Sequence, residues 1–104
     1  MEVSVPGRRV GNEELKTRLR DNYQLLVNDV DAEEMYDGLI ARKVLTVDKR
    51  NKLKKEPDAK DAMRGLLDGI IYSKHPSCCN DFVAILREKE QYSYLVEMIG
   101  EYLR

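Results

Sequence analysis

The side chains with the greatest chemical reach sit together at His75, Ser77, Cys78 and Cys79. An imidazole beside a thiol is the basis of a Cys–His nucleophile, and imidazole with thiolates is a common zinc donor set. The pattern supports neither chemistry. A structural metal needs three or four ligands at workable geometry, and this chain has one His and no second Cys pair. Adjacent cysteines project in different directions from a helix and rarely bridge to each other. A nucleophile also needs an oriented base and a hole for the oxyanion, and nothing nearby supplies either. Cys79 is expected as a small buried hydrophobe and His75 as a helix-end residue. No glycine-rich phosphate loop, zinc spacing or pair of catalytic carboxylates stands out, so no enzymatic activity, cofactor or metal is expected.

Charge is the other chemistry on offer. The run from Arg42 to Lys55 is rich in Lys and Arg, with Lys49, Arg50 and Lys52 as a candidate basic face. Phosphate recognition needs several such contacts and usually interleaved aromatics or a groove-entering helix. No aromatic lies within the run. Over the whole chain 18 Lys and Arg balance 19 Asp and Glu, a formal net charge of -1. That balance argues against a dedicated nucleic-acid or membrane-surface binder. Six Tyr and no Trp are present, and Tyr92, Tyr94 and Tyr102 fall near the C-terminal end. They are expected half-buried with hydroxyls in water, one of them a candidate interface anchor.

The elements that position these groups follow from the apolar spacing. The 104 residues, 42% hydrophobic and 36% charged, suit one folded domain with a heavily charged surface. No apolar run approaches the roughly 20 residues that span a bilayer, and the opening residues lack the apolar core of a signal peptide. Two free thiols suit a reducing compartment, so a cytoplasmic location is expected. Residues 1–11 read as a flexible lead-in and 12–104 as the folded domain. Asn12 is a candidate N-cap for a helix with Leu15, Leu19, Leu26 and Val30 on one face, and Tyr23 and Leu25 off that stripe suggest a bend.

Asp31 and Glu34 form a capping-box-like start to a helix that turns Met35, Leu39 and Ile40 inward and ends near Lys43. Thr46 caps a short polar helix anchored by Val47 and Leu53 and ended by Pro57. Asp58 caps a long helix carrying Ala62, Met63, Leu66, Leu67, Ile70 and Ile71, which Pro76 stops near Lys74. Ser77 caps the next, with Cys79, Phe82, Val83 and Leu86 on one face. A turn at Glu90 to Ser93 leads to a last helix with Leu95, Met98, Ile99, Tyr102 and Leu103 inward. Gly38, Gly65 and Gly69 lie inside helices, where close packing of a neighbour is the ordinary reason. The sum is about six helices joined by short loops, with no period-two strand.

The segment LIARKVLTVDKRNKLKKEPDAKDAMRGLLDGI, from Leu39 to Ile70, resembles the central signature of caspase recruitment domains, members of the death-fold superfamily. Leu39 and Ile40 match the aliphatic pair that ends one helix, Lys43 to Thr46 the basic–Val–Leu–Thr turn, and Pro57 the end of the short polar helix. Leu66, Leu67 and Asp68 match the paired-Leu–Asp of the long helix. Phe82 to Glu88 resembles the fifth helix of the family and Tyr94 to Ile99 the sixth. The likeness spans roughly Asn12 to Leu103.

The resemblance implies an all-α, six-helix antiparallel bundle of Greek-key-like topology. It also implies homotypic pairing with another such domain, from a caspase prodomain, an adaptor or a nucleotide-binding receptor, or with itself, in apoptotic or inflammasome-type signalling. The recruitment prodomain of a cysteine protease, and a helical module that binds an unrelated partner or nucleic acid through residues 42–55, are the alternatives. By the family pattern Arg18, Arg20, Lys60 and Arg64 form a basic patch, and Glu33, Glu34 and Asp37 an acidic one. The helix from Val47 departs from that pattern: Lys49, Arg50, Lys52, Lys54 and Lys55 make it basic.

Overall fold

A break at Asn22, with φ -108° and ψ 18°, divides the first expected helix in two. The break re-aims the chain, which is why Tyr23 and Leu25 fall off the stripe of Leu15 and Leu19. The computed structural model describes residues 11–75 and 77–100. The lead-in before Gly11, the helix-stopping Pro76 and the expected core residues Tyr102 and Leu103 lie outside them. The helices are α1 Asn12–Asp21, α2 Tyr23–Asp29, α3 Tyr36–Ala41, α4 Val47–Lys54, α5 Ala59–Ile71, α6 Cys78–Arg87 and α7 Ser93–Ile99. Single 3-10 turns at Ala32–Glu34 and Glu90–Tyr92 lead into α3 and α7, and there is no strand among the described residues.

The two most apolar helices form the centre. The stripe of α5 (Ala62, Met63, Leu66, Leu67, Ile70 and Ile71) is buried throughout, as are Phe82, Val83, Ile85 and Leu86 of α6. α5 packs against α1, α2, α4 and α6, and α6 packs against α1, α3, α5 and α7. Along the α1–α2 side, Arg20 lies over the Tyr72 ring, the Tyr23 hydroxyl bonds Asp68, and Lys60 bonds Asn28. The residue numbers rise on one side as they fall on the other, so α1–α2 and α5 run antiparallel.

Several local expectations shift by a turn or exchange partners. Gly11, not Asn12, is the N-cap of α1, and the Asn12 side chain goes elsewhere. Asn12 Oδ1 accepts the backbone N–H of Cys79 at 2.9 Å, so it caps α6 from the far end of the sequence. Ser77 stands at the N-cap of α6 but makes no capping bond; its hydroxyl donates to Asp81. Asp31 accepts from the Glu33 N–H as expected of a cap, but it opens a 3-10 turn rather than an α-helix. Glu34 turns away to accept from Gln91 at 2.7 Å, so no reciprocal capping box closes.

α3 stops at Ala41, and Lys43 takes a positive φ of 63° to reverse the chain. α5 ends at Ile71, three residues before Lys74. Thr46 and Asp58 cap α4 and α5 through the N–H groups of Lys49 and Lys60. Leu53 anchors α4, whereas Val47 is 48% exposed and anchors nothing. Met98, expected inward on α7, is 57% exposed, because α7 buries only Leu95 and Ile99.

Candidate functional site

Burial accounts for the thiol cluster. Cys78 and Cys79 are both fully buried, and the Cys78 thiol lies 3.2 Å from the Ile70 carbonyl oxygen, to which it donates. Burial first, and then the neighbouring Cys78, push the Cys79 thiol well above its ordinary value. A thiol held neutral in an apolar site is a poor nucleophile and a poor ligand. His75 Nδ1 accepts the backbone N–H of Ser77 and so helps shape the turn into α6. No three His, Cys, Asp or Glu side chains converge as a metal would need, among the described residues.

The basic candidates separate into two places. Arg20, Lys60 and Arg64 line the seam where α1–α2 cross α5. Arg20 is stacked over Tyr72 at 5.5 Å, Arg64 pairs with Asp61 at 2.5 Å, and the Lys60 ammonium donates to Asn28 Oδ1 at 3.2 Å. By helical rise the α5 part of the seam, from Lys60 to Tyr72, is about 18 Å long. Arg18 points the other way. Its guanidinium donates to the carbonyls of Ile99 and Gly100 and pairs with Glu14 at 2.6 Å. The last carbonyls of a helix lack partners within it, and a cation there complements the helix dipole. Arg18 thus ties α1 to the end of α7.

The acidic candidates share one turn and its neighbour. Glu33 and Glu34 stand on the 3-10 turn and Asp37 on α3, and all three are exposed. Glu33 lies 3.8 Å from the Lys54 ammonium of α4, and Glu34 is held by Gln91. Asp37 makes no hydrogen bond or ion pair among the described residues.

The basic run from Arg42 is partly engaged inside the chain. Arg42 bridges to Asp81 of α6 at 3.4 Å and to Glu88, just past the end of α6, at 3.0 Å, and Arg50 bonds Asn51. Lys49, at the start of α4, edges an apolar groove between α3, α4 and α5. Lys52 stays exposed.

Of the expected half-buried tyrosines, Tyr92 departs from expectation and Tyr94 fits in its burial. Tyr92 is buried, and its hydroxyl accepts the N–H of Asp31, so it is not in water. Tyr94 is 44% exposed and donates to Asp29 at 2.6 Å. Tyr72, which the spacing did not single out, is 70% exposed at the end of the basic seam. Its one sequence signal is a position just past the last core residue of α5, next to a Pro-limited loop.

No helix is long and apolar enough to cross a membrane, among the described residues. The family model described as caspase recruitment domain matches residues 16–102, which takes in all seven helices but the first turn of α1. Neither the curated proteins nor the solved structures contain a match to the chain. The all-helical bundle, its central α5 and α6 and the family match agree. The chain belongs to the caspase recruitment domains, non-catalytic death-fold modules that bind other domains of the same class.

Proposed function

We propose that this domain pairs with another caspase recruitment domain, a second copy of itself included, through opposed charged faces, in apoptotic or innate immune signalling in the cytoplasm. Glu33, Glu34 and Asp37 form the acidic face. Arg20, Lys60 and Arg64 form the basic face along the α1–α2 and α5 seam, and Arg18, tied to the end of α7, stands apart from it. The observation that carries the reading is Asp37: exposed, without a hydrogen-bond or ion-pair partner among the described residues, and close in sequence to two further exposed carboxylates. Exposed charge pairs contribute about 0–1 kcal/mol within a chain, so the fold gains little from keeping three acids on adjoining turns. Between two chains the same charges steer encounter and select the partner. One patch meeting a different patch is a heterologous contact, which need not close and can propagate.

Replacing Glu33, Glu34 and Asp37 together with Lys tests it. Self-association measured by sedimentation at low salt should fall to the weaker level that wild type keeps at high salt, with helical content unchanged by circular dichroism. Undiminished association would sink the acidic-face reading.

A further inference from the structure

Gly69 has no packing reason to be glycine. A glycine inside a helix is destabilising relative to alanine, so something usually requires it. At Gly38 an added Cβ would lie 3.0 Å from the Ile85 side chain, and at Gly65 2.8 Å from that of Leu53. At Gly69 it would meet nothing within 4 Å. The missing side chain leaves open a groove of about 260 Å³, walled by Leu39, Val44 and Leu45 on one side and Leu66 and Ile70 on the other. Lys49 stands at its edge on α4, whose other charges are mostly basic.

A feature of matching character lies elsewhere on the molecule. Tyr94 and Met98 are four residues apart on α7, hence on one face, and both are exposed. Their surroundings are acidic: Glu97 is adjacent to Met98 in sequence, and Asp29 accepts from the Tyr94 hydroxyl. α7 packs on α6 and α1, whereas the groove belongs to α3, α4 and α5. One chain therefore carries both an apolar plug with acidic flanks and an apolar socket with a basic edge.

We infer that Met98 of one copy seats in the Gly69 groove of a second copy, with Glu97 set against Lys49. The unbranched methionine suits an irregular gap of this kind. Because plug and socket are different surfaces, each copy can give one and receive one, and the contact adds copies head to tail. This interface uses neither the acidic turn nor the basic seam, so it stands or falls independently of the charged-face pairing.

The test is sedimentation velocity of the full chain at high salt, where exposed charge pairs are screened and an apolar seat persists. Wild type should still associate with rising concentration. Gly69→Leu, which fills the socket, and Met98→Ala, which removes the plug, should each weaken that association at least about tenfold, the loss expected on losing a buried methionine. Each variant should keep its cooperative melt. An equimolar mixture of the two retains one intact plug and one intact socket, and should form a one-to-one dimer that grows no further. A wild type that stays monomeric at high salt would overturn the inference. So would variants that associate like wild type, or a mixture that gives no dimer. Gly69→Ala, which leaves most of the groove open, guards against a folding artefact: it should melt no lower than wild type and still associate.

Discussion

Single side chains decide more of this surface than their charge type suggests. Arg18 and Arg20 read alike in the sequence, two residues apart on one helix, yet Arg18 closes onto the carbonyls of Ile99 and Gly100 while Arg20 lies over Tyr72. The sign of each charge was legible; the partner was not, because it lies at the far end of the chain, where periodicity carries no information. The same holds for Tyr23, whose hydroxyl donates to Asp68 at 2.8 Å across the α2–α5 seam. Burial first, then the hydrogen bond to Asp68 and its negative charge, raise the Tyr23 phenol from 10.0 to about 12. Tyr94 is raised as well, chiefly by its bond to Asp29. A phenol held above its unfolded value stabilises the fold in its neutral form. Its contribution is complete below about pH 10 and is lost as the pH climbs toward about 12. Over that window the melting point of wild type should fall more steeply than that of Tyr23→Phe. Parallel slopes would show that the Tyr23–Asp68 bond does not govern the alkaline limb.

At the scale of elements, the apolar stripes placed the helices and the caps placed some of their ends. The α5 stripe was legible residue by residue, because six inward positions at helical spacing admit one face, and all six are buried. Thr46 and Asp58 cap where their types and positions indicate. Two of the displaced caps share a cause: Asn12 and Glu34 have the side chains of local caps and make distant contacts instead. Asn12 has the side chain of an N-cap and performs that role, but for α6, 67 residues away. An N-cap replaced by Ala typically costs about 1 kcal/mol, so Asn12→Ala should lower unfolding free energy by about that amount in a urea titration. Stability unchanged by the substitution would show that water replaces the cap without loss. Met98 failed for the opposite reason. Its spacing was correct for a core position, but α7 is short and covered on one side, so Leu95 and Ile99 complete its buried face.

At the scale of the molecule, the bundle rests on the contact between α5 and α6, and its function on what the other helices leave exposed. Leu67 is fully buried at that centre, and Leu67→Ala should cost roughly 2–5 kcal/mol. An unchanged denaturation midpoint would contradict the placement of the core. The family was legible from the order of its motifs, each weak alone, because they fall on the helices that pack together. The surface was less so. The basic α4 departs from the family pattern, and sequence alone could not say whether its charges face a partner or this chain's own Glu33. The structure brings Lys54 to Glu33 and leaves Lys49 at the edge of a groove. The most direct test of pairing through charged faces is the association constant of the full chain with itself, measured by sedimentation from low to high salt. Exposed complementary charges are screened over about 8–10 Å near physiological ionic strength. The constant should therefore fall steeply as salt rises, and assembly should grow with concentration at low salt. Association indifferent to salt, or a strict monomer at every concentration, would contradict the account.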